Sequence, residues 1–219
     1  MALSNKKILE YLETGDIVIE PFNESQLQTS SYDVRLGEYY YRKNPLSFAH
    51  KMYSPYSKKD IDEMWGSPQE AITADESFHN IGQSIPDGLN KNDLVIILGP
   101  GEHILGHTDE YIGGRNVITT HMQARSSVGR QDIVVCRDAG WGDVGYFNRW
   151  TMEIGNDNPH RPTVLVVGTR VAQIVFEYTG QIVGKDYLGK GHYQNFDDVD
   201  FLKATWFPEM MLPKPLDKK

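Results

Sequence analysis

Cysteine occurs once in the 219 residues, at position 136. A disulfide within the chain is therefore excluded, and a reducing compartment is expected. Long apolar runs are missing as well, and none approaches the ~18 residues of a membrane-spanning helix. The first residues, MALSNKKILEYL, hold neither a long apolar core nor a small-residue cleavage site. No secretory signal and no membrane partner are expected, and the expected location is cytoplasmic. Basic residues are in deficit, with 22 Lys and Arg against 30 Asp and Glu and a net charge of −8. Binding to polymeric nucleic acid draws largely on phosphate neutralisation by a basic surface. The overall balance argues against such a partner, whereas a small phosphorylated ligand needs only a few local cations.

The chain does hold enough apolar residues, 39%, for one domain with a real core. Ile8, Leu9 and Leu12 fall at helical spacing before Gly15, which predicts a short helix over Asn5–Thr14. From Asp16 onward short apolar runs alternate with turn residues: IVIEPF, SYDVRLGEYYY, LVIILGPG, VITTHM, IVVC, RWTMEI, TVLVVG, VAQIVFEY and QIVG. Many are β-branched or aromatic, and no helix-length periodic segment separates them. This is an all-β barrel or sandwich pattern and not a parallel α/β sheet.

Two stretches stand apart. Residues 43–92 are rich in Lys, Asp, Ser and Pro, and a connection of that length is expected to be functional or an insertion with structure of its own. Within it IDEMW and SPQEAI read as short helical turns. Residues 197–219 form a C-terminal extension in which Phe201, Trp206, Phe207, Met210 and Met211 stand among charges and prolines. So many large apolar side chains are expected to dock on the same subunit or a neighbour.

The densest cluster of chemically unusual residues runs over 123–156. The segment ARSSVGR, 124–130, places two arginines, two hydroxyls and a glycine within seven positions. Backbone N–H groups of such a turn can cradle phosphate oxygens, with arginines adding forked donors. A polar strand end with surface arginines fits it equally. In Trp150-Thr-Met-Glu-Ile154 the alternation puts Trp150, Met152 and Ile154 on one face and Thr151 with Glu153 on the other. A mid-strand carboxylate is costly to bury unless paired or functional, and partial burial raises its pKa toward that of a proton shuttle. A glutamate on a solvent face is the other reading of the same spacing.

These segments resemble the dCTP deaminase branch of the dUTPase-like superfamily over roughly residues 5–196. IxPFNESQLQTSSYDVRLG from Ile19 is similar to the family's opening strand block, ILGPGEHILGHTDEYI from Ile97 to its proline-glycine turn and strand, and ARSSVGR to its most specific signature. From Arg130 to Glu153 the residues align without a gap onto the stretch leading to the catalytic glutamate. VGTRVAQIVFEYTG from Val167 resembles the strand carrying a ligand-binding glutamine. A compressed tail, YLGKGHYQ over 187–194, resembles the tyrosine–lysine–glutamine lid. The turn Asp143-Val-Gly-Tyr146 and the length of 43–92 depart from the usual pattern.

The resemblance implies a dUTPase-like distorted β-barrel or jelly roll with a short N-terminal helix, assembled as a homotrimer with the active site between subunits. The domain would span 1–196, carrying the insertion at about 43–92. The implied activity is hydrolytic deamination of dCTP to dUTP and ammonia. Glu153 is implied as general base, with Ser126 orienting the water and Arg130 stabilising charge. Arg125, Ser127, Val128 and Gly129 would hold phosphates, with Tyr187, Lys190 and Gln194 closing from the tail. Asp143 would bind the 3′-hydroxyl, Ala139 would lie near the reacting base, and Gln173 with the backbone of Thr151 and Met152 would read it. Zinc nucleobase deaminases need an H-x-E and P-C-x-x-C constellation, which one cysteine cannot supply. His103 and His107 fall in a strand-like run, so no zinc is expected. Mg²⁺ is expected only as a companion of the triphosphate. A dTTP inhibitor is a further family expectation. Pairing of trimers into hexamers, a bifunctional enzyme releasing dUMP and pyrophosphate, dCMP as substrate, and a non-catalytic nucleotide sensor on the same fold all stay open.

Overall fold

The computed structural model describes residues 1–44, 52–189, 191, 193–194 and 196–217. Helix α1 spans Asn5–Thr14 as expected: the Ser4 hydroxyl caps its first turn, and Gly15 ends it in the left-handed region at φ 82°. Thirteen strands follow among the described residues: β1 (Ile17–Glu20), β2 (Tyr32–Arg35), β3 (Tyr39–Arg42), β4 (Gln69–Glu70), β5 (Ile72–Thr73), β6 (Leu94–Leu98), β7 (His103–Gly114), β8 (Ile118–Ala124), β9 (Ile133–Val134), β10 (Trp141–Gly142), β11 (Phe147–Asn156), β12 (Thr163–Val166) and β13 (Arg170–Tyr178).

Every pairing is antiparallel. One sheet runs β4-β3-β7-β11-β9 with β1 also on β7, a second runs β10-β8-β13-β2, and a third runs β12-β6-β5. The chain is thus mostly sheet with few helices. Among the described residues the hydrogen bonding does not run round a closed barrel, so three separate sheets replace the barrel that the resemblance implied. Their inner faces share one core, in which Tyr32, Ile112, Ile118, Met152, Ile154 and Phe176 are buried together. Among the described residues, no helix is long and apolar enough to cross a membrane.

The insertion has structure of its own. Helix α2 (Lys58–Trp65) contains IDEMW as expected, and α3 (Ala74–Asn80) follows. SPQEAI is not helical: β4 and β5 fall within and beside it. Pro68 disfavours a helical Ser67, and pairing of Tyr39 with Glu70 draws the segment out. QIVG is not a strand either, since Gly180 and Gly184 take positive φ at its two sides and Ile182 and Val183 are left exposed. Further on lie α4 (Ser126–Gly129) and α5 (Val199–Thr205). The extension docks on its own subunit: Leu202 packs with Val18, Tyr111 and Phe147, and Met211 packs with Tyr41, Ile61, Trp65 and Leu105.

His107 lies in the middle of β7 and is buried. Its Nδ1 lies 2.8 Å from the Thr108 carbonyl oxygen, and its Nε2 accepts from the Tyr39 amide at 3.2 Å. Burial pushes its pKa down to about 4, so the ring is neutral, with its proton on Nδ1. Gly37 lies against this ring, where an added Cβ would stand 1.9 Å from His107 Cε1. Two hydrogen bonds keep the ring from stepping aside. Gly37→Ala is therefore expected to cost about 2–3 kcal/mol, or roughly 4–12 °C in Tm. Thermal and urea melts check this, and an unchanged midpoint would mean that the ring yields.

Candidate active site

The β7–β11 ladder builds the first part of the site. Along β11 Trp150, Met152 and Ile154 are buried, while Arg149, Thr151 and Glu153 are half-buried on the opposite face, as the alternation predicts. Across the ladder Tyr111, His107 and Leu105 face Arg149, Thr151 and Glu153 in turn. A register shift between Arg149 and Thr151 is bridged by Thr108, whose hydroxyl accepts from the Trp150 amide at 2.8 Å.

Glu153 opens onto a cavity of about 500 Å³, which Ala139, Trp141, Tyr146, Arg149, Thr151 and Tyr187 also line. Its Oε2 is buried and has no hydrogen-bond partner among the described residues. A buried polar atom without a partner calls for a functional explanation. Burial raises the Glu153 pKa above the ordinary carboxylate value, and its own backbone amide and the Arg137 charge offset only part of that. Tyr146 stacks edge-on against both Trp150 and Tyr187, with ring centres 5.3 and 5.1 Å apart. Asp143 stands on an adjoining depression that shares Trp141 and Tyr187 with the cavity, and its Oδ1 accepts from Trp141 Nε1 at 3.2 Å.

Ala139, Thr151, Glu153 and Tyr187 thus come together, with Asp143 beside them. Met152 points into the core, leaving its backbone as the part that a ligand can reach. Gln194 lies behind the cavity and is buried: its Oε1 accepts from the Phe147 amide at 2.8 Å, and its Nε2 donates to the Gly145 and Phe196 carbonyls. Lys190 and His192 lie outside the described residues.

The ARSSVGR segment is elsewhere. Ser126, Ser127, Val128 and Gly129 form α4, and Ser126, Ser127, Gly129 and Arg130 are exposed. None of the residues from Arg125 to Arg130 lines the Glu153 cavity. Arg125 is held by the buried Asp33, 3.3 Å from its Nε, and Arg170 stands equally close to the same carboxylate. Gln173 belongs to this second group, since β13 sets it across from both Asp33 and Gln123. In one chain the carboxylate in its aromatic cavity and the arginine–serine turn therefore stand apart. Trp65, Trp141, Tyr146, Arg149 and Tyr193 were not anticipated as lining residues. Only Arg149 had a signal, since it shares parity with Glu153 on the strand. No group of three or more His, Cys, Asp and Glu able to hold a metal occurs among the described residues.

A family model described as dCTP deaminase-like matches residues 2–179. This chain belongs to that family. The dUMP-forming dCTP deaminase of Hydrogenobaculum sp. is 35% identical over 83% of this dCTP deaminase-like chain and 85% of its own length. That of Methanobrevibacter smithii is 34% identical over 80% and 79%, and the dCTP deaminase of Haloarcula marismortui is 33% identical over 80% of each. Among solved structures, the 2′-deoxycytidine 5′-triphosphate deaminase of Agrobacterium tumefaciens superposes with a TM-score of 0.53 at 18% identity, a likeness of fold. It covers 81% of this chain, which spans only about half, 47%, of that one.

The raised pKa of Glu153 has a consequence for stability. A buried carboxylate with a raised pKa favours the folded state below the ordinary value of 4.5, and that benefit is lost as pH rises through the raised value. Glu153→Gln removes the penalty. The variant is expected to melt higher than the wild type at pH 8, by roughly 2–4 °C if about 1 kcal/mol is recovered. The gain should vanish toward pH 4, where the wild-type carboxyl is itself neutral, and melts across this range decide the matter.

Proposed function

We propose that this protein removes the 4-amino group of dCTP by hydrolysis, with Glu153 as the proton-transferring group. The observation that carries the reading is the buried Oε2 of Glu153, without a hydrogen-bond partner among the described residues and facing an aromatic cavity, in a chain of the dCTP deaminase-like family. The carboxylate takes a proton from water while the water oxygen bonds to C4, and N3 receives that proton. The tetrahedral carbon then collapses: the C4–N bond breaks, the carbonyl forms, and ammonia leaves with a proton returned through Glu153. A raised pKa suits a group that must both accept and return a proton near neutrality.

The remaining roles divide between two half-sites in this reading, the Glu153 cavity and the arginine–serine turn. Thr151, the Met152 backbone, Ala139 and Gln173 enclose the base, and Asp143 takes the 3′-hydroxyl. Ser126 orients the water, and Arg130 stabilises the developing charge. Arg125, Ser127, Val128 and Gly129 hold phosphates, with Mg²⁺ arriving as part of the substrate. Tyr187 and Lys190 close from the tail, while Gln194 acts through the Gly145–Phe147 backbone that it holds. Because the two half-sites stand apart in one chain, the complete site forms where the turn of one subunit meets the cavity of the next in a homotrimer.

The product follows the relatives. The two at 34–35% identity carry the dUMP-forming name, which favours continued hydrolysis to dUMP and pyrophosphate over the dUTP expected from sequence. The plain dCTP deaminase name of the Haloarcula relative keeps release of dUTP as the second reading. Incubation with Mg²⁺ and dCTP, with ion-exchange separation of the products, distinguishes them. Ammonia with dUMP supports the first and ammonia with dUTP the second. No turnover of dCTP or dCMP would leave a nucleotide sensor in place of an enzyme. Glu153→Gln should lower kcat by ~10²–10⁴-fold, the range that one positioned proton-transfer group contributes.

Subunit sharing has its own test. Glu153→Gln and Arg130→Ala should each be inactive alone. Co-refolded, the two should regain a measurable fraction of wild-type activity, because some interfaces then join an intact turn to an intact cavity. Absence of any recovery in mixed trimers would place both half-sites in one subunit.

A further inference from the structure

A strand that runs toward Glu153 stops short beside it. β9 pairs with β11 at Ile133↔Asn156 and Val134↔Gly155. Continued by two residues, that register would set Cys136 across from Glu153. The pairing ends at Val134 instead, and Cys136 and Arg137 both take positive φ, at 62° and 35°. Neither is glycine. Such backbone is costly for a residue with a side chain, persists where the surroundings impose it, and clusters at active sites. The turn closes with the Ala139 amide donating to the Cys136 carbonyl at 2.7 Å, and Ala139 then lines the cavity with Glu153. The strain falls where the chain passes the carboxylate.

What the strained turn carries is a cation. Arg137 Nη2 donates to the His103 ring, 2.8 Å from Nε2 and 3.1 Å from Nδ1. That ring lies over Gly155, where an added Cβ would stand 2.0 Å from Nδ1, so a side chain at 155 would displace it from β11. Burial, followed by the charges of Arg137 and Lys43, holds the His103 pKa below its ordinary value. The neutral ring accepts the hydrogen bond without cancelling the guanidinium charge. A second partner, Asp157, is 3.6 Å away with both side chains about half exposed, beyond hydrogen-bond reach and screened by water. The Arg137 charge is therefore left to act on Glu153, two residues before Gly155.

The other described groups around Glu153 do not replace it. Arg149 shares the cavity but is held by the rings of Tyr111 and Trp206 and lies 3.6 Å from Asp109. Tyr146, Tyr187 and Tyr193 present phenols, and Leu105 and Met210 are uncharged. Burial raises the pKa of both the Cys136 thiol and the Tyr146 phenol, which stay neutral. Arg130, which the proposed function brings from a neighbouring subunit, stands outside the cavity within one chain. Arg137 itself does not line the cavity and faces the groove beside Gly129.

We infer that Arg137 is a positioning residue for deamination: from the strained turn it keeps Glu153 ionised, ready to take a proton from water. The inference rests on the deaminase reading of Glu153. A general base must be unprotonated when water arrives, and burial by itself favours the neutral acid. A cation just outside the cavity counters burial without taking up space that the substrate needs.

The test compares wild-type, Arg137→Gln and Arg137→Lys protein. kcat/KM for dCTP with Mg²⁺ is followed from about pH 5 to pH 9, where its acid limb reports the base of the free enzyme. Arg137→Gln should move that limb to higher pH, with a several-fold loss on the acid side and little loss at pH 8. Arg137→Lys should return the limb to its wild-type position. Stability gives a second readout. Without the cation the Glu153 pKa rises further, so more stability is lost as pH climbs through it. The Tm gain from Glu153→Gln at pH 8 should then be larger in the Arg137→Gln background than in the wild type. Backbone strain is common to both backgrounds and cancels from this cycle. Turnover with an unmoved limb, a uniform loss at every pH, or equal Tm gains overturns the inference and leaves the deaminase reading standing. No turnover of dCTP or dCMP by the wild type overturns both.

Discussion

The antiparallel ladder between β7 and β11 is the constraint on which the rest depends. A strand repeats its side-chain direction every two residues, so burying Trp150, Met152 and Ile154 obliges Arg149, Thr151 and Glu153 to face the other way. A slip of one residue would drive Glu153 into the core and leave Met152 outside. The apolar core thus sets the direction in which the carboxylate points. The same ladder sets Leu105 opposite Glu153 and His107 opposite Thr151, which gives the added segments their anchoring points.

A second rigid centre lies around Asp33. It is buried with two arginines on one carboxylate oxygen, Arg125 and Arg170, and burial raises its pKa despite them. Nearby Glu110, fully buried, accepts from Arg35 Nε at 2.7 Å, from the Arg35 amide at 2.9 Å and from Gln26 at 2.8 Å. Buried charges are tolerable only when paired and hydrogen-bonded, and this network meets that condition. It fixes the base of the arginine–serine turn while leaving Ser126, Ser127 and Arg130 free at the surface.

The insertion and the C-terminal extension close the architecture. Both send aromatic and methionine side chains to the outer face of β7: Trp65 and Ile61 from α2, Trp206 after α5, and Met211 beyond it. This face would otherwise expose Leu105 and the edge of His107. Covering it removes apolar surface from water, which is the main driving force for docking a tail. The cover also becomes a wall of the cavity that holds Glu153.

Local patterning alone settled a good deal. The period-two run 150–154 marked Glu153 as facing away from the core, helical spacing with Gly15 set α1, and the runs of β-branched and aromatic residues set the sheet-rich class. The motif residues 124–130 and 143–153 carried the family. These features depend on neighbours a few positions apart, which a sequence displays directly. Pairing and contacts between distant segments were decided only by the tertiary structure. SPQEAI became extended because β3 pairs with it, QIVG stayed irregular between the positive φ angles of Gly180 and Gly184, and the described sheets are three where a barrel was expected. The separation of Glu153 from Arg130, the burial of Gln194 against the Gly145 and Phe147 backbone, and the meeting of Trp65, Trp206 and Met211 over β7 are likewise three-dimensional. Each joins residues dozens of positions apart through packing and hydrogen bonds that no local period encodes.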